Sequence, residues 1–466
     1  MTTTDLDTVH RTSLPSPGAL DHEAIVPSPG LDRTASDAST SASTPRSGRL
    51  VGIDIARALA LIGMFTQHVS ISDSDGGFST GWVSWVFTES AGRASVLFFI
   101  LSGVSLSIIH SKGSASATNG ALWRRGVVLL VGGLLVTATI WPASILQHYG
   151  VAFLAAPLLL RLGTRRLATA TAVGLIGGPI FLLFARNWSG EVFGAWSGQT
   201  GSWLINTIWE LLVAGLYPMV LWIGFFTLGM LIGRLDLRAD RIVVRMLAVA
   251  ILSTLAIGAL SAQLTEQYGD FSKGDFVDDG SGSAGDGDFN ESDTFAGSAD
   301  DPWNDDSLWK ELPDGSFKFL GDESKLEEFD DSFGTGFPDV DRPATWQELY
   351  DVTGHSGHIG WTMQTSAVAL AIMSAALLLP RAATSALSPL AWMGSMSLTA
   401  YLVHIVLVGD VFDKYIADAN WSVVEKEWAL LGLIGVMVVA CSAFHFALRV
   451  GPFEWLLKKF TVSNPS

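Results

Sequence analysis

Residues 49–70 read RLVGIDIARALALIGMFTQHVS, and this stretch decides the fold. It reads as a membrane-spanning helix, yet it carries Asp54, Arg57 and His68. Ionisable groups inside a span are costly and face a bundle interior or a watery cavity, so they mark function by default. The chain must therefore build other helices around this one. Eleven positions separate Arg57 from His68. At 100° per residue that is three turns plus about 20°, so both side chains share one helix face, roughly 16 Å apart along the axis. Asp54 lies three residues before Arg57, within reach of it. One face thus carries an ion pair near one membrane surface and an imidazole near the other.

Composition agrees with a polytopic membrane protein and excludes a soluble enzyme: 466 residues, 49% hydrophobic, mean hydropathy +0.38. The single cysteine, Cys441, lies in an apolar run, so no intramolecular disulfide forms. The formal charge of −17 is unevenly placed. Residues 266–351 hold 25 Asp and Glu against 5 Lys and Arg, whereas the rest of the chain is slightly basic. Nothing points to a nucleic-acid partner.

Residues 1–48, rich in Ser, Thr, Pro and Asp without an apolar run, read as a disordered cytoplasmic tail rather than a signal peptide. Ten spans follow, an all-α bundle, at about 51–71, 93–111, 123–142, 145–162, 167–185, 204–233, 242–263, 357–379, 389–409 and 427–448. The fourth is short, and the sixth is long enough to tilt or to break at Tyr217-Pro218. Spans 1–7 occupy 49–263 and form the candidate catalytic core; 264–356 is a large acidic extracytoplasmic loop; spans 8–10 occupy 357–448; 449–466 is a cytoplasmic C-terminal segment. Lys and Arg in short loops set this orientation, with both termini inside a plasma membrane: Lys112, Arg124, Arg125, Arg161, Arg165, Arg166, Arg234, Arg381, Lys458 and Lys459 all fall on one side. Trp82, Trp85, Trp141, Trp361 and Trp428 then gather at the outer interface. The acidic loop reads as solvated and largely disordered, and its GDFVDDGSGSAGDGDFNESD stretch lacks the ligand spacing of a calcium loop.

Arg57-x10-His68 resembles the Arg/Lys-x10-His signature of integral-membrane acyltransferases. GIDIARALALIGMFTQH followed by AGRASVLFFILSGVSLSI is similar to the heparan-α-glucosaminide N-acetyltransferase-like group. YPMVLWIGFFTLGMLIGRLD, PLAWMGSMSLTAYLVHIVL and GPFEWLLKKFT resemble the related YeiB-like group. The resemblance implies transfer of an acyl group, acetyl in the first instance, from cytosolic acyl-CoA to an envelope glycan or glycolipid at the outer face, with no metal required. Well-known members of the acetyltransferase group carry Asn at the x10 position and their working histidine in the next outer loop. Here Val69–Ala91 has no histidine and His68 itself occupies x10. The catalytic role therefore carries over from the Arg-x10-His type.

The residues themselves suit such chemistry. Imidazole, with an unperturbed pKa of ~6.5, can take the acceptor's proton or hold the acyl group, which makes His68 the candidate base or acyl carrier. An interfacial histidine bonded to backbone or water is the alternative. Arg57, oriented by Asp54, is placed to bind a phosphate or the thioester carbonyl; a structural ion pair is the alternative. Arg93 is a candidate for orienting the acceptor or an oxyanion, and Gln147-His148-Tyr149 is a polar cluster on the acceptor side. Lys112, Arg124, Arg125, Arg161, Arg165 and Arg166 are candidates for the CoA phosphates, although orientation alone explains them. Glu210, Tyr217 and His404 are expected as buried polar residues, and His355 with His358 is only a weak metal pair. Membrane lipids surround the bundle, and a homo-oligomer stays open. A transporter is the rival reading, because buried charge and a broken long span suit one too. A scaffold displaying the acidic loop is the third reading.

Overall fold

A computed structural model describes residues 49–71, 81–111, 115–188, 207–268, 309–311, 317–319, 346–352, 356–409 and 423–461. The expected tail, 1–48, and most of the acidic loop lie outside the described residues, as do Lys112 and His355.

The described chain is almost wholly helical. Its first half runs α1 (Val51–Ile71), α2 (Gly81–Ser90), α3 (Arg93–His110), α4 (Ala115–Thr139), α5 (Leu146–Leu160) and α6 (Thr164–Ala172). A π-helical turn, Val173–Gly177, joins α6 to α7 (Gly178–Trp188). A second π turn, Glu210–Ala214, precedes α8 (Met219–Ile232) and α9 (Asp240–Tyr268). After a 3-10 turn, Trp346–Tyr350, the second half runs α10 (Ile359–Leu378), α11 (Arg381–Ala386), α12 (Ser388–Ser395), α13 (Ser397–Val406), α14 (Val423–Leu448) and α15 (Pro452–Thr461).

Among the described residues, six helical stretches are long and apolar enough to cross a membrane: Arg93–His110, Asn119–Thr139, Thr164–Ala185, Asp240–Tyr268, Ile359–Leu378 and Glu427–Leu448. A seventh arises if α12 and its continuation, bent by 82°, form one span. α5 and α8 are apolar but short. α1 has the length but not the apolarity, because Asp54, Arg57, Gln67 and His68 interrupt it. Its position explains how it tolerates them. α1 packs against α2, α3, α10, α12, α13 and α14, and Ala56, Ala58, Leu61 and Phe65 on it are fully buried. α9 is the opposite case: 11% of its apolar window is buried inside the chain, against 61% for α3, so its Val249, Leu252 and Leu255 face outward as a lipid-contacting helix does.

Small residues let the inner helices approach closely, as membrane packing requires. Gly394 of α12 lies on the backbone of α1, where an added Cβ would stand 2.9 Å from the Ala58 nitrogen. Gly103 and Gly229 do the same for α3 and α8, with added Cβ atoms 2.9 Å from the Met230 nitrogen and 2.8 Å from the Ile100 carbonyl carbon.

The segment expected as a sixth span, tilted or broken at Tyr217-Pro218, is broken there. The π turn ends at Ala214, Gly215 is extended, and Pro218, which has no N–H to lose, stands at the N-cap of α8. Glu210 departs from expectation, since it is exposed at the start of that turn rather than buried. Within the acidic segment, Trp309–Glu311 and Phe317–Phe319 pair as short antiparallel strands, Trp309 with Phe319 and Glu311 with Phe317.

Candidate functional site

The two polar ends of α1 build two different environments. At the first end Asp54 is buried and accepts from two guanidiniums, Arg49 Nε at 2.6 Å and Arg57 Nη1 at 2.7 Å. Arg57 also donates from Nη2 to the Ser105 hydroxyl of α3, which itself donates to the Leu101 carbonyl at 2.6 Å. The i,i+3 spacing of Asp54 and Arg57 therefore gives the predicted pair, and Arg49 is a second partner that the sequence reading did not assign. Arg125 lies over the Phe153 ring at 4.8 Å. Arg124 is engaged differently, donating from Nε to the Thr461 carbonyl at 2.8 Å and so tying α4 to α15. Arg161, Arg165 and Arg166 are exposed around the α5–α6 turn.

At the second end His68 is buried, and its Nδ1 lies 2.8 Å from His404 Nε2 of α13. The ring planes are 10° apart and the centroids 5.0 Å apart. That separation leaves little more than the two ring radii beyond the N···N distance. The rings therefore meet edge to edge in nearly one plane, a well-aligned hydrogen bond rather than a stack. His404 Nδ1 in turn lies 3.2 Å from the Ala400 carbonyl. Trp141 tilts against His68 at 5.0 Å, and Phe65 and Tyr401 pack on His404 at 4.4 and 5.3 Å. The Tyr401 hydroxyl accepts from the Ile145 N–H at 3.2 Å and donates to Ser144 at 3.4 Å. It thereby pins the α4–α5 turn, which carries Trp141, to α13.

α13 is itself held from below. Its first N–H groups have no intrahelical partner. Glu454 of α15 accepts from the Leu398 and Thr399 N–H groups at 2.7 and 3.1 Å, and from the Thr399 hydroxyl at 2.5 Å. This is a helix cap supplied by a distant segment.

Gln147 and His148 are buried at the start of α5. The Gln147 Oε1 atom, both ring nitrogens of His148 and the Trp141 indole N–H make no hydrogen bond among the described residues. Buried polar atoms without a partner are rare in folded proteins, and a polar ligand that reached them would gain hydrogen bonds. The ring contact of His148 is with Tyr217, at 5.3 Å, and it is Trp141, not His148, that stands on His68. Arg93 donates to Glu89 at 2.5 Å and to Gln364 of α10 at 3.2 Å, so it bridges helices with its charge paired.

His358, at the N-cap of α10, lies 3.5 Å from both Glu348 and Asp351. Burial alone lowers its pKa, but hydrogen bonds and charge from Asp351 and Glu348 outweigh this and raise it above the ordinary histidine value. Among the described residues no group of three or more His, Cys, Asp or Glu is arranged to hold a metal ion.

Two family models match the chain. Residues 49–262 match heparan-alpha-glucosaminide N-acetyltransferase, catalytic, and residues 340–464 match a protein family of unknown function, DUF418. Both matches agree with the superfamily that the motifs resemble, and the first points to transmembrane acetyltransferases. Comparison with curated proteins found no match.

Proposed function

We propose that this protein is a membrane acyltransferase that moves an acyl group, acetyl in the first instance, from cytosolic acyl-CoA to a saccharide or glycolipid of the cell envelope. The observation that carries the reading is the buried His68–His404 pair, whose His68 lies inside the segment matching an acetyltransferase catalytic family. In this reading α1, α5 and α8 cross the membrane together with the six long helices and the bent α12–α13 pair, giving ten spans. Both termini are cytoplasmic and the acidic loop is outside, as the one-sided Lys and Arg bias supports.

Arg57 and Arg125 then face the donor side. The acceptor's hydroxyl or amine gives its proton to His68 and attacks the thioester carbonyl. The new C–O or C–N bond forms, the C–S bond breaks, and the proton passes from the imidazole to the departing thiolate. Gln147, His148 and Trp141 offer hydrogen bonds to a polar acceptor. General base catalysis of this kind contributes about 10²–10⁴-fold.

The test is labelled acetyl-CoA with purified protein in lipid nanodiscs and an envelope saccharide fraction. Parent protein should label the acceptor, and His68→Ala should lose transfer while keeping its fold. A His68→Ala variant that transfers at the parent rate overturns the reading. The 82° break between α12 and α13 favours the transporter as second reading. Flux of an envelope precursor across proteoliposomes with no acylated product would select it.

A further inference from the structure

We infer that His404 is a positioning residue that sets the tautomer of His68, so that Nε2 of His68 is the nitrogen that meets the reacting group. The inference rests on the acyltransferase reading for its purpose, but its geometry stands without it. His404 Nδ1 is 3.2 Å from the Ala400 carbonyl oxygen. A carbonyl oxygen only accepts, so that bond requires the hydrogen on Nδ1. A neutral imidazole carries one N–H, which leaves His404 Nε2 as an acceptor. Nε2 is 2.8 Å from His68 Nδ1, so His68 Nδ1 must donate. The lone pair of His68 then lies on Nε2, on the side of its ring away from His404.

The chain Ala400 carbonyl, His404, His68 thus fixes by hydrogen bonds alone which nitrogen of His68 is basic. The near-common plane of the two rings aligns the His68 N–H with the His404 lone pair. When His68 takes a proton on Nε2, the Nδ1–H bond to His404 persists and strengthens, because a charged donor binds a neutral acceptor more tightly. Phe65 and Tyr401 hold the His404 ring, and the Glu454 cap holds the helix that bears it. The helix bond from His404 to Ala400 is an ordinary i,i−4 contact. Its consequence appears only because the other nitrogen reaches His68.

The experiment is ¹⁵N NMR of histidine-labelled protein in nanodiscs, with His68 assigned by difference against His68→Gln. Parent protein should show His68 protonated at Nδ1 in its neutral form. His404→Leu removes the acceptor and should shift His68 toward Nε2–H, with kcat reduced about 100-fold and KM little changed. His404→Gln keeps an acceptor oxygen and should retain both the parent tautomer and most of the rate. It also serves if the leucine variant does not fold. A parent His68 protonated at Nε2 overturns the inference, as does a tautomer unchanged in His404→Leu or lost in His404→Gln. If the tautomer responds as stated but the parent protein transfers no acyl group, the positioning role stands and the acyltransferase reading falls.

Discussion

Asp54→Ala should destabilise the bundle more than Arg57→Ala, although the two residues form one ion pair. Asp54 is buried and accepts from both Arg49 and Arg57. Removing its carboxylate leaves the Arg57 guanidinium, with side-chain exposure of 19%, facing only the neutral Ser105 hydroxyl. Stripping the partner from a buried charge costs about 3–5 kcal/mol. Arg57→Ala is milder because Asp54 keeps Arg49, whose side chain is 63% exposed and so contributes less than a buried partner. Two hydrogen bonds of the guanidinium are lost, to Asp54 and to the Ser105 hydroxyl. Neither acceptor is orphaned, since Asp54 keeps Arg49 and Ser105 still donates to the Leu101 carbonyl, so the cost should stay at about 1.5–3 kcal/mol. The double variant should recover part of the Asp54→Ala loss, since no orphan charge remains inside. The assay is denaturant unfolding of the purified protein in a mild detergent, comparing the three variants at one ionic strength. An Arg57→Ala protein that unfolds more readily than Asp54→Ala refutes the reasoning, for it means that Arg49 does not hold Asp54.

Two further outcomes follow from contacts outside the histidine pair. Glu454→Ala removes the acceptor for the first N–H groups of α13 and should cost about 0.5–2 kcal/mol, with Glu454→Gln losing less; protease sensitivity of the α12–α13 break, rising in the alanine variant, checks it. His358 has a raised pKa beside Asp351 and Glu348, so its contribution is complete below the unfolded histidine value and is lost as pH rises through the folded one. Thermal stability should therefore fall from about pH 6.5 upward, and His358→Gln should remove that slope. A parent protein that gains stability over this range contradicts the assignment.

The local part of the site was legible because helical periodicity is local. Arg57 and Asp54 meet at i,i+3, and the break before Pro218 follows from the missing N–H of proline. What spacing cannot reveal is a partner brought by the fold. His404 stands 336 positions from His68, and in TAYLVHIVL it reads as one polar residue in an apolar helix. Glu454 likewise looks like an acid in the first turn of a terminal helix, until its carboxylate meets α13. Arg49 gives no such signal in the sequence, because it precedes the helix whose Asp54 its side chain reaches. Hydropathy alone misleads most at α1, since the helix that is innermost carries the polar residues that make it look least like a span.

The same contacts say that the two matched regions are not separate modules. α1 belongs to residues 49–262, whereas the elements that seat its two ends, Gly394 in α12 and His404 in α13, belong to 340–464. α9 and α10, on either side of the acidic loop, also pack along each other. Helices in a membrane associate through packing and hydrogen bonds between spans already inserted, without needing a continuous chain. A cut in the acidic loop, between residues 269 and 308, should therefore be tolerated if both pieces are made together. Each piece alone should lack transfer activity, because one holds His68 without His404 and the other the reverse. Co-expressed pieces should co-purify and recover labelling of the acceptor. Full activity in the piece ending before the cut shows that the second region is dispensable, and then neither the Glu454 cap nor the histidine pair organises the site.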